Sequence, residues 1–262
     1  GILGLSLIGV LIEAFGWRLP LYLLAGGLIF ASLVMGSLPK ANQGAAVTAS
    51  PPMKGPVRRG NLSLAERFRA FFYLGPHQLS AWGAVLVNFF NFFAVFHLMI
   101  THGAYLEIEY GLGPARLGTI AMLLGLTDWA GSILVSFAGD KIGKRRSLLI
   151  GAAGMLVSFV LLPFLNISFS IALIGLVLPR FFFEFATVSN FPLLSEQYPA
   201  GRGKVLAFGV SGGLLGTTIA AATGPAAYLK YGLWGLGPFS AAASLVSLLI
   251  LLFIVRERPY HS

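Results

Sequence analysis

Three ionisable side chains lie inside long apolar runs of this sequence. Asp128 falls near the centre of the run 116–138, and Arg180 and Glu184 fall near the centre of the run 168–193. Arg180 and Glu184 are four residues apart and therefore share one face of a helix. An ionisable group at mid-depth in a bilayer costs at least about 2.5 kcal/mol, so such groups are usually paired or functional.

These groups have the chemistry needed for reversible proton binding. Thr187 continues the face of Arg180 and Glu184. We expect this face to line a water-accessible cavity, in which Arg180 holds Glu184 or Asp128 until a bound molecule or a proton releases it. A buried carboxylate can alternate between ionised and neutral forms when a guanidinium is close. The alternative is a static ion pair beside Pro179.

A second polar set lies in the run 81–105. At 100 degrees per residue, Asn88, Asn91 and His102 fall within about 60 degrees of one another, and His97 points the opposite way. Asn88 and Asn91 are expected to offer hydrogen bonds to a ligand in the same cavity. His102 is either a third member of this set or an interfacial residue.

The composition indicates that a lipid bilayer is the solvent. Of the 262 residues, 56% are hydrophobic and only 10% are charged, and the mean hydropathy is +0.83. The net charge of +9 would suit a nucleic-acid partner in a soluble protein. Here the basic residues fall in short gaps between apolar runs, which excludes nucleic acid as the partner and favours lipid headgroups.

The apolar runs have the length of transmembrane helices. A helix needs roughly 20 apolar residues to cross a hydrocarbon core about 30 Å thick. None of the runs alternates as a membrane β-strand does, so the sequence predicts an all-α polytopic membrane protein. The predicted spans are 1–14 (incomplete), 19–38, 81–105, 116–138, 147–165, 168–193, 204–228 and 233–255.

One long hydrophilic segment, residues 39–80, divides the chain. Its part 41–60 has the proline and small-residue content of a flexible linker. Ser63 and Glu66 have capping-box spacing at the start of a short amphipathic segment, about 63–74. We expect that segment to be an interfacial helix on the membrane surface, with a solvated charge run as the alternative.

The basic residues also predict orientation. Most of them lie between the second and third runs, between the fourth and fifth, after the sixth and in the tail 256–262, whereas the opposite side has only Arg18, Arg116 and Lys230. The positive-inside rule therefore places the long segment and the C-terminus on the cytoplasmic side of the cell membrane.

The start of the sequence and the motifs that it lacks are also informative. The sequence begins at Gly1 inside an apolar run, so we expect upstream residues to be missing from it. It has no cysteine and four histidines, and no metal site or cofactor is expected. It also lacks the HExxH, GxSxG and Walker lysine motifs of hydrolases and nucleotide-binding enzymes.

A basic turn follows the fourth run and has a recognisable pattern. The residues are Gly139-Asp140-Lys141-Ile142-Gly143-Lys144-Arg145-Arg146. They are similar to the cytoplasmic signature G-x-L-a-D-r-x-G-r-r of the Major Facilitator Superfamily (MFS), with Ser136 and Ala138 as departures. The order of two runs, a long basic loop and six further runs also resembles the fifth through twelfth helices of these transporters.

The resemblance implies a domain organisation and a gate. Residues 1–38 would be the last two helices of a first bundle, 39–80 a cytoplasmic linker, 81–255 a second six-helix bundle and 256–262 a tail. The turn from Ser195 to Gly203 resembles the connection between the family's tenth and eleventh helices, so Glu196 is expected to pair with the basic turn. The implied gating residues are Asp140, Gly143, Lys144, Arg145, Arg146, Glu196 and Arg202.

Glycines give two further indications. Gly4, Gly9 and Gly16-Trp17-Arg18 resemble half of a fifth-helix motif that is prominent in drug exporters, and this favours export over import. Leu5 and Ile8 depart from it. The pairs Gly209/Gly213, Gly212/Gly216 and Ala220/Gly224 have small-xxx-small spacing, which predicts close helix packing in lipid.

The resemblance implies a secondary transporter that works by alternating access. We expect proton-coupled efflux of small apolar or amphiphilic compounds. Two alternatives remain: a non-transporting membrane scaffold or receptor, which leaves Asp128, Arg180 and Glu184 without a purpose, and an intramembrane enzyme, for which no motif is present.

Overall fold

The computed structural model describes residues 2–37 and 63–257, without the side chains of residues 2–6, 35 and 140. The predicted linker 41–60 and the last residues of the predicted tail lie outside the described residues. The chain forms two compact units, one made of Gly1–Val10 with Leu74–Ser262 and the other of Leu11–Tyr73.

The boundary between the two units falls inside the first helix, after Val10, and the next two helices belong to the smaller unit. Helix α1 spans Ile2–Phe15 and α2 spans Arg18–Ser37, and Gly16 links them with a left-handed φ of 79°. Helix α2 occurs where the sequence predicts the span 19–38.

Helix α3, Leu64–Phe72, begins with the predicted capping box. The Glu66 amide donates to Ser63 Oγ at 3.3 Å, and the Ser63 amide donates to Glu66 Oε2 at 2.8 Å. These bonds from Ser63 favour the carboxylate and hold the pKa of Glu66 below its usual value. Leu64 and Phe68 on this helix are exposed, as an interfacial helix requires, but its membrane placement stays a prediction.

Six helices of the larger unit are long and apolar enough to cross a membrane, and the all-α prediction is confirmed. Each occurs where the sequence predicts a span. They are α4 (Gln78–Tyr110), α5 (Pro114–Ile142), α6 (Lys144–Leu161), α7 (Phe169–Gln197), α8 (Arg202–Tyr231) and α9 (Leu233–Phe253).

Helix α4 lies in the middle of the bundle and packs against α7, α8 and α9. The predicted small-residue stripe of α8 makes close packing possible. A Cβ on Gly216 would lie 2.3 Å from the Phe89 carbonyl oxygen, and one on Gly212 would lie 3.2 Å from the Val85 carbonyl oxygen. The packing function of these glycines is therefore confirmed, since any side chain there would separate the two backbones.

Helix α7 is held between α5 and α6. A Cβ on Gly151 of α6 would lie 2.6 Å from the Ala186 amide nitrogen, so these backbones are in contact. Pro179 lies inside α7, directly before Arg180, and is buried. Proline has no amide hydrogen, so one hydrogen bond of the helix is missing beside Arg180.

Several basic residues lie at the end of the bundle where α6 begins and α9 ends, which is called the basic end below. Gly143 forms the turn from α5 to α6 with a left-handed φ of 92°. Arg145 donates from Nε to the Val255 carbonyl at 3.0 Å and from Nη2 to the Leu251 carbonyl at 2.8 Å. One guanidinium thus caps the C-terminal carbonyls of α9.

Candidate functional site

The three ionisable residues predicted from the sequence meet between α5 and α7. Arg180 on α7 donates from Nε to Asp128 Oδ1 on α5 at 2.9 Å, and its Nη2 donates to Oδ2. One helical turn further, Ser132 on α5 donates its hydroxyl to Glu184 Oε2 on α7 at 2.8 Å. Two side-chain contacts therefore join the same pair of helices.

Both contacts join residues that are 52 positions apart in the chain. Helices α5 and α7 run in the same direction, because one intervening helix, α6, returns the chain. In parallel helices of equal rise, a constant offset keeps successive contacts level, like the rungs of a ladder. We call Asp128, Ser132, Arg180 and Glu184 the ladder.

Gly131 allows the two helices to come close enough for these contacts. A Cβ at this position would lie 3.1 Å from Glu184 Cβ and 3.1 Å from the Phe181 carbonyl oxygen. Both neighbours are fixed to the α7 backbone and cannot turn aside. Gly131 therefore positions the ladder without touching any of its polar atoms.

Of the two partners predicted for Arg180, the structure pairs it with Asp128. Ser132, which the sequence interpretation did not name, is the partner of Glu184. Its signal was its position, four residues after Asp128 and thus on the same helix face. Thr187 lies further along α7, and its hydroxyl is buried without a hydrogen bond to any described residue.

Asn88 and Asn91 lie between helices and are each 1% exposed. Asn88 donates to the Gly209 carbonyl on α8 at 2.8 Å and accepts from Asn190 on α7 at 3.1 Å. Asn91 accepts from Ser247 on α9 at 2.7 Å. In this structure the two side chains bind neighbouring helices and do not face a cavity as predicted. Three helices surround α4, so residues within 60 degrees of one another can contact different helices.

The two histidines of α4 point to different neighbours. His97 lies 3.1 Å from Thr223 Oγ1 through Nε2 and is buried. His102 lines a narrow crevice that also contains Arg180, and the rest of its lining is apolar: Leu98, Met99, Leu124 and Leu176. His102 therefore lies close to the ladder and away from the end of α4.

A separate open groove lies toward the end of the bundle opposite the basic end. Its volume is about 740 Å³. The lining is mostly apolar, with Tyr110, Arg116 and Thr119 as its polar members; the other residues are Leu112, Ile120, Met122, Leu123, Leu126, Phe169 and Leu173. The groove shares α5 and α7 with the ladder.

At the basic end, the predicted pairing of Glu196 with the basic turn is present. Lys144 Nζ forms an ion pair with Glu196 Oε1. Gly143 and Arg145 make the turn and the α9 cap described above, and Arg146 and Arg202 are exposed. Asp140 lies in the last turn of α5, and its side chain is outside the described part of the structure.

Among residues 2–37 and 63–257, no three histidine, aspartate or glutamate side chains converge as metal ligands.

The larger unit has six membrane-length helices and an ion pair between α5 and α7, and comparison with known proteins gives the family. The profile of the Major Facilitator Superfamily matches residues 84–262, so the chain belongs to that family. Two relatives come from Bacillus subtilis (strain 168). One, the uncharacterized MFS-type transporter YceJ, is 25% identical over 81% of this chain and 50% of its own length. The other, the uncharacterized MFS-type transporter YwfA, is 24% identical over 66% of this chain and 42% of its own length.

The family assignment and the six membrane-length helices make this chain an integral, multi-pass membrane protein of a transporter family. The chain spans about half the length of the curated relatives that it matches.

Proposed function

We propose that this protein is a proton-coupled exporter of apolar or amphiphilic compounds that works by alternating access, with Glu184 as the proton carrier. Arg180 and Asp128 form the charge pair beside it, and this pair opens when substrate or a proton releases Arg180. Residues 81–255 act as the C-terminal bundle, which rocks against the first bundle of the complete transporter around a midplane site.

The observation that carries this proposal is the difference between the two carboxylates of the ladder. Asp128 accepts two hydrogen bonds from the Arg180 guanidinium. Glu184 bonds only a hydroxyl, that of Ser132, among the described residues. A hydroxyl can donate to a carboxylate and, after rotation, accept from a carboxylic acid, so Ser132 can serve Glu184 in both protonation states.

The substrate class follows from the open groove that shares α5 and α7 with the ladder. Its lining is mostly apolar, and Arg116, Thr119 and Tyr110 offer a few polar contacts, as expected of a site for amphiphilic molecules. The direction of transport rests on the partial glycine motif near the start of the chain. Gly9 of that motif approaches α5 closely, since a Cβ there would lie 2.7 Å from the Pro114 carbonyl oxygen.

The basic end serves as the cytoplasmic gate in this proposal. Lys144 and Glu196 join α6 to α7, and Gly143 makes the turn between α5 and α6. The gating set also includes Asp140, Arg145, Arg146 and Arg202. The positive-inside rule assigns this end and the C-terminus to the cytoplasmic side of the plasma membrane. Thr187 on α7 supplies a further hydroxyl toward the pathway; Asn88 and Asn91 hold α4 in place and reach the substrate only if the bundle opens between α4 and its neighbours.

The test replaces the proton carrier with a neutral side chain of the same shape. Everted vesicles that contain the full reading frame are energised with an imposed pH gradient, and uptake of ethidium and berberine is followed by fluorescence. We expect Glu184→Gln to abolish gradient-driven uptake and to leave exchange of dye without a gradient intact, because the variant can no longer exchange a proton.

Glu107→Gln is the matched control, since Glu107 is an exposed carboxylate on α4. It should transport as the unmodified protein does. Full gradient-driven uptake by the Glu184→Gln variant would overturn the role of Glu184. Uptake of neither dye by the unmodified protein would contradict the proposed substrate class.

A further inference from the structure

We propose that His102 is the second acceptor of the Arg180 guanidinium: when Arg180 leaves Asp128, it donates to His102 Nε2. This inference rests on the proposed function in one respect, namely that Arg180 leaves Asp128 during the cycle. It assigns a positioning function to a histidine that the sequence interpretation left undecided.

The hydrogen bond of His102 fixes which ring nitrogen is free. Nδ1 lies 2.6 Å from the Met99 carbonyl oxygen, one turn back on the same helix. A carbonyl oxygen can only accept, so Nδ1 carries the hydrogen. In the neutral ring, Nε2 then has the lone pair, and it has no hydrogen-bond partner among the described residues.

The surroundings leave Arg180 as the group that can use this lone pair. The crevice that His102 lines contains Arg180 and otherwise only Leu98, Met99, Leu124 and Leu176. None of these four side chains carries an N–H or O–H donor. A guanidinium that enters the crevice would therefore find Nε2 as its side-chain acceptor.

Arg180 needs such an acceptor because of its burial. It is 8% exposed, and a buried guanidinium that loses its carboxylate without a replacement hydrogen bond is costly. Its five N–H groups form a planar fork, so rotation of the side chain can exchange Asp128 for a second acceptor nearby. The crevice on the α4 side gives that second position.

The exchange conserves charge and protons in a simple way. A proton or a substrate group engages Asp128, the guanidinium keeps its charge, and His102 stays neutral as it accepts. If His102 itself binds a proton, Nε2 can no longer accept, and a second cation faces Arg180. Protonated His102 therefore holds Arg180 on Asp128 and stops the cycle.

Few other charges face this histidine. Helix α5 contributes Asp128, and α7 contributes Arg180 and, one turn further, Glu184. Helices α8 and α9 have charged side chains only toward the ends of α8, at Arg202, Lys204 and Lys230. The pH response assigned to His102 is therefore set mainly by the ladder.

The first test compares two replacements of His102 by their pH profiles of ethidium and berberine transport, in everted vesicles with the full reading frame. His102→Gln keeps an acceptor near Nε2 and cannot bind a proton. We expect near-normal transport at neutral pH and loss of the acid-side decline. His102→Leu keeps the volume and removes the acceptor, and we expect transport to fall at least tenfold at every pH.

His97→Gln is the control, because His97 lies on the same helix but contacts Thr223. It should keep the pH profile of the unmodified protein. An unchanged acid-side decline in the His102→Gln variant, or an unchanged rate in the His102→Leu variant, would overturn the proposal. If transport depends on Glu184 as expected and these results still appear, the proposed function stands and only the function of His102 fails.

The second test needs neither transport nor a substrate. Diethyl pyrocarbonate modifies the unprotonated nitrogen of histidine, and mass spectrometry reports its rate at each residue of the purified protein. Asp128→Asn frees Arg180 from its carboxylate, so His102 should become at least tenfold less reactive, while His97 should not change. Equal or faster labelling of His102 in the Asp128→Asn variant contradicts the exchange.

Discussion

The ladder and the basic end contain the same type of interaction in different surroundings. Each joins α7 to a neighbouring helix by an ion pair across 52 residues, Asp128 with Arg180 and Lys144 with Glu196. The side chains are 27% and 10% exposed in the first pair, and 39% and 14% in the second. In both pairs α7 supplies the more buried member.

This comparison shows how burial changes the consequence of losing a partner. Lys144 can return to water when it leaves Glu196, so its pair can open at little cost. Arg180 has no such access and needs another acceptor inside the protein. The same chemistry therefore suits a gate at the basic end and a coupled switch at the ladder.

The largest expected effect separates the two pairs by stability. Arg180→Ala leaves Asp128 without its cation in a partly buried position, and we expect a loss of about 3 kcal/mol in the free energy of unfolding. Lys144→Ala should lose less than about 1 kcal/mol. Unfolding in mixed detergent micelles, followed by circular dichroism, measures both. Equal losses would remove the distinction between the two regions.

A smaller effect tests the approach of the helices at the ladder. Gly131→Ala places a methyl group 3.1 Å from two atoms fixed to α7, so we expect a loss of about 1 kcal/mol in stability and a clear decrease in transport. Gly139→Ala on the same helix meets only Val135 at 3.8 Å and should be neutral or slightly stabilising. The same micelle unfolding measurement applies. A neutral Gly131→Ala variant would show that α5 and α7 are not held together there.

The smallest effect concerns salt. Glu196→Gln should change stability by less than about 1 kcal/mol at low salt, and the difference should vanish near 1 M NaCl, because salt screens exposed pairs. Asp128→Asn should keep most of its effect at the same salt concentration, since burial limits screening. Similar salt dependence of the two variants would contradict the comparison.

Much of the architecture could be predicted because bilayer thickness and backbone satisfaction constrain helices strongly. The six long spans, the packing glycines of α8 and the capping box at Ser63 all follow from local rules. The family resemblance also came from local motifs.

The pairing inside the site could not be predicted in the same way. The sequence places Arg180, Glu184 and Asp128 at similar depth, but the choice of partner depends on the offset between α5 and α7, which no local pattern encodes. The same lack of long-range register hid Ser132 and Gly131. It also hid the α9 cap, since Arg145 reads from the sequence as one more cation of the basic turn.

The constant 52-residue offset also limits how α7 can slide along α5. A shift of one turn, about 5.4 Å, would bring Glu184 level with Asp128 and leave Arg180 beside Leu124. Two carboxylates would then lie side by side in the hydrocarbon core, and this is unfavourable unless one of them is protonated. In the proposed mechanism, the spacing of these four side chains therefore blocks this shift until one carboxylate has bound a proton.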